Sequence, residues 1–439
     1  MSENKDTKVY PYRFIARIVI EAATPLAVGS GEKGFMTDAL VAKDINGMPY
    51  IPGTSIAGVI RHALGDKTNN ESSIFGYHKG KNAAGSRIMF SDAVMIGKDG
   101  KVLDGIQQID FSDDFYNHFV NLPVRQHVRI NEFGTAEKGG KFDEQVVYQG
   151  ARFVFEMEYI SEENDIKPFE NALDQLQYTT FRLGGGTRKG FGKIKLISIQ
   201  QRSYDLTKDI DLYLEKSSSL KDEWDAECIA VEHVEDKEWV KYEMVLQPND
   251  FILFASGLGD EDADDTPVTE SVITWSNEKN PIPSFIDDCI LIPGSSIKGA
   301  LAHRTAYYWN KGKGYFAGDP RAKTADKCPA VIAIFGSSDD EVPQRGNFII
   351  DDLISEPAPS KLFNHVKIDR FTGGAIAGAL FTEKVTDARN LRFPLTILVK
   401  ASPENRIYFE SALNDLKKGL LPLGGSSNRG MGMFKEIKD

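Results

Sequence analysis

Four short blocks of this 439-residue chain occur twice in the same order, which limits the fold more than any other feature of the sequence. FENALDQL (Phe169 to Leu176) returns as FESALNDL (Phe409 to Leu416), and each leads across the same gap to LGG, at Leu183 and Leu423. YIPGTSIAGVIRHAL (Tyr50 to Leu64) returns as LIPGSSIKGALAHRT (Leu291 to Thr305). Between these lie SIFGYHKG and AIFGSSDD, starting at Ser73 and Ala333, and VRINEFGTA and VKIDRFTGG, starting at Val128 and Val366. A period of about 240 residues far exceeds the roughly 20 to 50 of solenoid repeats, so each copy is a domain. The spacing predicts a first domain over 1–202, a linker over 203–237 that includes EKSSSLKDEWDAE, and a second domain over 238–439.

Periodicity supplies the elements of each copy. YRFIARIVIEA alternates Phe14, Ala16, Ile18 and Ile20 against Ile15, Arg17, Val19 and Glu21, the pattern of a half-buried strand. WVKYEMVLQ does the same in copy two, with Val240, Tyr242, Met244 and Leu246 inward. SIAGVIRHAL and SIKGALAHRTAYYW follow a Pro-Gly turn and a Ser or Thr able to cap a helix, so both are predicted helices. ARFVFEMEYI and RFPLTILVKA read as strands, while FENALDQL and FESALNDL carry Phe, Ala, Leu and Leu at i, i+3, i+4 and i+7, a helix's apolar stripe. A last strand follows each glycine loop, in KIKLISIQ and MFKEIK. The order is strand, loop, helix, insertion, strand, helix, glycine loop, strand. That is an α+β plan with an antiparallel sheet, of the split βαβ or ferredoxin-like kind.

Composition removes several classes. No apolar run approaches the ~20 residues that span a bilayer, and MSENKDTKVY lacks the apolar core of a signal peptide, so a cytoplasmic location is expected. Cys228, Cys289 and Cys328 lie far apart, which indicates neither a disulfide framework nor a zinc site. A net charge of -12 argues against nucleic acid covering the whole surface. The acids concentrate in segments such as EHVEDKE (Glu232 to Glu238) and DEDADD (Asp260 to Asp265), while the basic residues gather elsewhere.

RLGGGTRKGFG (Arg182 to Gly192) has the glycine density of a nucleotide loop but the wrong setting. A dinucleotide fingerprint follows a strand and opens a helix, whereas here a helix precedes and a strand follows. Lys189 is followed by Gly190, so the Ser or Thr of a phosphate-binding NTPase loop is missing as well. Two readings remain: a tight connection whose glycines take positive φ, or backbone amides with Arg182, Arg188 and Lys189 gathered against a phosphate backbone. The second copy, PLGGSSNRGMG, keeps Arg429 and adds Ser426, Ser427 and Asn428 as neutral donors.

The paired IPGTSIAG and IPGSSIKG, with LGG and KGFG or RGMG toward each end, resemble the RAMP superfamily of CRISPR-associated proteins. Within it the chain is most similar to fused, double backbone subunits of type III effector complexes. Val128 to Val147 and Val366 to Val385 look like that family's thumb hairpins. The resemblance implies two tandem modified RRM/ferredoxin-like domains with thumb hairpin insertions. It implies a filament that holds a CRISPR guide RNA by its backbone and presents it to target RNA. The partners implied are guide RNA, target RNA, a large signalling subunit, small subunits and further backbone subunits. Target cleavage would use Mg2+ or another divalent cation.

The same resemblance implies the site residues. Target cleavage depends on an aspartate in the loop after the first strand, and Asp38 in MTDALV matches it as catalytic acid and metal ligand; Asp44 reads as a turn. The chemistry implied is attack of a ribose 2′-hydroxyl on the adjacent phosphate. Copy two has a longer loop with no unique counterpart: Asp264 or Asp265 by counting from the strand end, Glu270 by matching VTESVI to MTDALV. It is either a second active site or a copy that binds without cutting. For the guide, the first helix offers Ser55, Arg61 and His62, and the second Ser295, Ser296, Lys298, His303 and Arg304, since a helix N-terminus beside Lys suits phosphate. The thumb bases add Arg125, His127 and Arg129, with Lys367 and Arg370 in copy two. The glycine loops add Arg182, Gly185, Arg188 and Lys189, then Ser427 and Arg429. Phe133, Phe371, Ile376 and Leu380 are placed to wedge between bases or to pack in their own hairpins. Rival expectations are a guide-binding subunit without nuclease activity and a CRISPR-repeat processing ribonuclease. The latter typically uses His as general acid or base, yet the seven histidines form no evident catalytic set.

Overall fold

The computed structural model describes residues 9–35, 37–65, 74–131, 133–276, 281–316, 318–337 and 343–438. Ser73 and residues 338–340, at the ends of the two IFG blocks, lie outside the described residues, as do Met36 and Glu132 in quoted motifs. Copy one runs β1 (Tyr12–Ala22), α1 (Gly53–Ala63), β2 (Tyr77–Lys79), β3 (Asn82–Ala84), β4 (Ile88–Phe90), β5 (Val94–Ile96), α2 (Asp114–Asn117), β6 (Val124–Ile130), β7 (Ala136–Gln145), β8 (Arg152–Ser161), α3 (Lys167–Asp174) and β9 (Ile194–Asp205). Then α4 (Ile210–Glu215) and β10 (Glu227–Ile229) follow. Copy two runs β11 (Val240–Pro248), β12 (Phe251–Ile252), β13 (Thr269–Trp275), β14 (Pro283–Ile292), α5 (Gly294–Gly312), α6 (Pro329–Phe335), β15 (Phe348–Ile350), β16 (Leu353–Ser355), β17 (Ser360–Ile368), β18 (Ala375–Asp387), β19 (Phe393–Val399), α7 (Pro403–Lys417) and β20 (Phe434–Ile437).

Both copies build the same antiparallel sheet. β1 lies between β8 and β9, with β4 and β5 beyond β8; β11 lies between β19 and β20, with β15 beyond β19. The inward residues of β1 and the stripe Phe169, Ala172, Leu173 and Leu176 of α3 and the turn after it are buried in one core. Phe409, Ala412, Leu413 and Leu416 of α7 do the same in the second core. Two tandem α+β domains of RRM-like type are therefore the architecture, as the repeat and its periodicities predict. Among the described residues no helix is long and apolar enough to cross a membrane.

Three features depart from the simplest reading. First, β1 is buried on both faces, because the 206–229 segment packs across its outer side. Arg17 binds Glu156, lies 5.6 Å from the Trp224 ring and donates to Asp222 O at 2.6 Å, and Trp224 Nε1 donates to Tyr204 Oη. β10 extends the same sheet beyond β9. Second, neither predicted Ser/Thr cap operates. Pro52 and Pro293 are the N-caps, and the first helical amides are taken by distant carboxylates, Asp92 on Gly53 N at 2.8 Å and Asp352 on Gly294 N at 2.7 Å. The glycine after each proline is needed for close approach: a Cβ on Gly53 would press on the carbonyls of Phe90 and Ser91. Third, the longer loop of copy two folds into the β13–β14 hairpin and enters copy one. Ile273 N donates to Gln149 O at 2.9 Å, Trp275 Nε1 donates to Gly150 O at 2.8 Å, and Phe285 stacks on His118 at 3.8 Å.

Candidate functional site

The thumb of each copy is a two-stranded hairpin, β6–β7 and β17–β18, with a bulge at the corresponding place, Val128/Ile130 and Val366/Ile368. At its base the loop after the first strand of the domain meets the returning thumb strand. In copy one Asp38 N donates to Asp143 Oδ1 at 2.8 Å, and Asp143 N donates to Asp38 Oδ2 at 3.2 Å. In copy two Asp264 N donates to Thr382 O at 2.9 Å, and Thr382 N donates to Asp264 Oδ2 at 2.8 Å. The next residues, Ala39 and Asp265, bridge Glu144 and Glu383 in parallel fashion. Asp264 is thus the positional counterpart of Asp38, and both are exposed.

Glu270 is not that counterpart. It is buried and forms a two-pronged ion pair with Arg125, which also reaches Asp352 Oδ2 at 3.1 Å. Arg125 therefore joins the two copies and is withdrawn from RNA, and Glu270 is withdrawn from the candidate acids, because both charges are neutralised inside the protein. Burial pushes the Asp352 carboxyl up to about 6, in spite of Arg125 and the Gly294 amide. Asp265 is half-buried behind Glu383, and burial and that neighbour raise its carboxyl.

A second repeated set surrounds each acid. His127 Nε2 lies 3.0 Å from Glu144 and His365 Nε2 lies 2.9 Å from Glu383. His127 stacks on Phe142 at 4.7 Å and His365 on Phe381 at 4.8 Å. Over each Phe stands a cation from the glycine loop, Lys189 at 4.2 Å and Arg429 at 5.0 Å. Glu383 also accepts from Arg429 at 2.6 Å and from Ser426 at 2.9 Å, so Arg429 is held within its own copy. Burial opposes ionisation of Glu144, but His127 and Lys189 outweigh it and hold the carboxyl low. Sequence reasoning found His127 for its charge and missed His365, Glu144 and Glu383. The signal was present: the His of QHV and of NHV sits one residue before the matched thumb blocks, and FDE in β7 matches FTE in β18.

The first glycine loop has two sides. Arg182 is buried and pairs with Asp351 of copy two at 2.9 Å, beside Lys193 at 2.7 Å from the same carboxylate. Gly190 has φ +124, and a Cβ there would overlap Asp352 Oδ1. Gly185 N is taken by Ala27 O at 2.7 Å. The connection is therefore also a docking surface between copies, made by Arg182 and Gly190, while Gly185 is tied to Ala27 within copy one. Arg188 and Lys189 face differently. Arg188 donates to Gly346 O at 3.1 Å and lies over Trp239, while Lys298 on the first turns of α5 comes close to both. Among the described residues none of Arg188, Lys189 and Lys298 forms a salt bridge. Burial and the nearby Lys189 and Arg188 push Lys298 down to about 8; burial, Arg345 and Arg182 push Arg188 down to about 10. Arg345 reaches His62 Nε2 at 2.6 Å, which places the end of α1 against copy two.

The remaining predicted binders divide. Arg61 donates to Gly76 O at 3.0 Å and packs over Phe75, within its own copy. Arg304 pairs with Asp415 at 2.6 Å, and Arg129 with Glu137 at 3.0 Å on the thumb. His303 lies 3.3 Å from Ile130 O, so the first thumb crosses α5 of copy two. Lys367 and Arg370 are exposed on the second thumb, and Ser55, Ser295, Ser296 and Ser427 are partly exposed. Phe133 and Phe371 stand out at 82% and 100% exposure, and Leu380 at 68%.

Two copies thus carry one architecture, one thumb, one acid at one place and one glycine loop beneath it. The model of the RAMP superfamily matches residues 19–195 and 280–435. The chain belongs to the RAMP superfamily. As a double RAMP protein it is, at the level of the family, a CRISPR-associated RNA-binding protein. Among curated proteins none matches the chain.

Proposed function

We propose that this double RAMP protein is a fused backbone subunit of a type III CRISPR effector, binding guide RNA across its two copies and cleaving paired target RNA at Asp38. The observation that carries the binding half is the cluster of Arg188, Lys189 and Lys298, drawn from both copies and free of salt bridges among the described residues. Like charges crowded together and half-desolvated are costly unless an anion completes them. A phosphate backbone supplies that anion without sequence preference, leaving specificity to base pairing. The net charge of -12 is compatible, since only this contact surface must be basic.

For cleavage, the exposed thumb residues Phe133 and Phe371 would hold bases apart so that a 2′-oxygen stands in line with the leaving 5′-oxygen. The 2′-oxygen bonds to phosphorus and loses its proton, the bond to the 5′-oxygen breaks, and that oxygen gains a proton. The products are a 2′,3′-cyclic phosphate and a 5′-hydroxyl. Asp38 and Asp143 lie side by side, and each leaves one carboxylate oxygen outside their mutual hydrogen bonds. Among the described residues no group of three or more His, Cys, Asp and Glu could hold an ion. Two carboxylates with phosphate and water suit a magnesium ion, which would neutralise charge developing on the phosphate. Copy two offers Asp264 beside the neutral Thr382 and so presents one carboxylate where copy one presents two.

The test is target cutting by the assembled effector carrying Asp38→Ala or Asp264→Ala. The expected result is loss of one set of cuts with Asp38→Ala, by about 100-fold or more, with guide binding intact. Unchanged cutting at every site would remove Asp38 from the mechanism and leave the guide-binding subunit as the better reading. The Thr382 difference predicts that any cut depending on Asp264 is the slower of the two.

A further inference from the structure

α5 is 19 residues long where its counterpart α1 has 11, and the added turns lead into an insertion that copy one lacks. Tyr307, Tyr308, Trp309, Tyr315 and Phe316 put five aromatic side chains within ten residues. Between His303 and Lys327 there are six Lys and Arg (Arg304, Lys311, Lys313, Arg321, Lys323, Lys327) and two Asp (Asp319, Asp326), a balance of +4 in a chain of -12. Arg304 and Arg321 are paired with Asp415 and Asp319. The four lysines form no salt bridge among the described residues.

The described residues of this segment form a platform. The Asn310 side chain donates to Lys323 O at 2.8 Å and accepts from Lys323 N at 2.9 Å, closing the insertion back onto the helix. Trp309 and Tyr315 meet edge to face at 6.2 Å. Lys313 stands over Trp309 at 5.8 Å, Arg321 over Tyr315 at 4.7 Å and Arg304 over Tyr307 at 5.0 Å. Tyr307 nevertheless remains 50% exposed and Phe316 79% exposed. Exposed rings interleaved with unneutralised cations are what a single-stranded nucleic acid needs: a π-face for each base and a positive charge for each phosphate. The helix face carrying Arg304, Tyr307 and Lys311 at i, i+3 and i+7 also continues from His303, where the first thumb crosses.

We propose that this copy-two insertion is a second RNA-binding surface, which stacks unpaired bases of a single-stranded RNA away from the basic cluster between the copies. It stands on residues separate from Arg188, Lys189, Lys298 and Asp38. Charge complementarity calls for a polyanion, and the exposed rings Tyr307 and Phe316 favour RNA over an acidic protein segment because each nucleotide brings a stacking face together with its phosphate.

The test uses the full chain with a fluorescein-labelled, unstructured oligouridylate and the corresponding duplex. Tyr307→Ala and Phe316→Ala are each expected to weaken single-strand binding about tenfold and to leave duplex binding unchanged. Lys311→Glu with Lys313→Glu should flatten the salt dependence. Ultraviolet crosslinking of the unaltered protein, with the crosslinked peptides identified by mass spectrometry, should label the 304–323 segment, a readout that needs no variant to fold. Wild-type affinity in all these variants, crosslinks confined to the thumbs and glycine loops, or an acidic peptide displacing RNA from this segment would overturn the proposal. Lys189→Ala with Lys298→Ala separates the two readings: if that variant alone loses binding the insertion is not a site, and if it loses none the basic-cluster reading falls while this one stands.

Discussion

Lys298 is the residue at which charge, burial and proposed function meet. Its ammonium has Lys189 and Arg188 as neighbours and sits at about 8, below the ordinary lysine value, because burial and those two charges disfavour protonation. A bound phosphate restores the charged form, so binding above pH 8 takes up a proton. RNA affinity is therefore expected to be flat up to pH 8 and to fall as pH rises beyond it, with a limiting slope of about tenfold per unit. Lys298→Arg, whose charge persists through this range, should flatten the profile in a filter-binding titration; identical profiles for both proteins would remove Lys298 from the binding cluster. Arg125 behaves in the opposite manner, being fully paired. Arg125→Ala leaves Glu270 and Asp352 buried without their cation and should cost about 3–5 kcal/mol in a denaturant titration. A loss under about 1 kcal/mol would mean that the three charges do not hold the copies together.

At the scale of elements, the sequence was legible wherever a single periodicity decides the outcome. β8, α3 and α7 are local: each one's apolar residues name its buried face, whereas β1 is recognisable as a strand but its outer face is covered by a segment its own pattern does not announce. The thumbs were legible as blocks and the acids of copy two were not, because counting from the strand end gives Asp264 or Asp265, motif matching gives Glu270, and only long-range pairing with Thr382 or with Arg125 separates them. The helix caps failed for the same reason, since Asp92 and Asp352 come from the β4–β5 and β15–β16 connections, far along the chain from the helices they cap. Glycine in RLGGGTRKGFG likewise has a reason outside its own loop. Gly190→Ala places a Cβ against Asp352 at a backbone conformation unsuited to L residues. It should lower stability by about 2 kcal/mol or more, while Gly430→Ala, at an open place in the second loop with φ +91, should cost only the conformational strain of about 1 kcal/mol. Equal losses in thermal melts of the two variants would show that the first loop does not carry the contact between copies.

For the whole molecule, the two copies are one folded body rather than beads on a linker. The segment 203–237 reads as a linker by composition, yet most of it covers the first sheet, with Leu220 and Trp224 buried. The exposed residues Glu235, Lys237 and Glu238 mark the stretch that spans from one copy to the other. Meanwhile the β13–β14 hairpin puts Ile273 in the core of copy one, and Arg182–Asp351 and Arg125–Glu270 close the seam. A chain with a protease site introduced at 235–238 is therefore expected to remain a single particle after cleavage, in native size-exclusion chromatography at moderate salt. It should also keep its RNA affinity, because Lys189 and Lys298 stay opposed without a continuous backbone. Separation of the halves on cutting would mean that the chain connection, and not the packed seam, brings the basic cluster together.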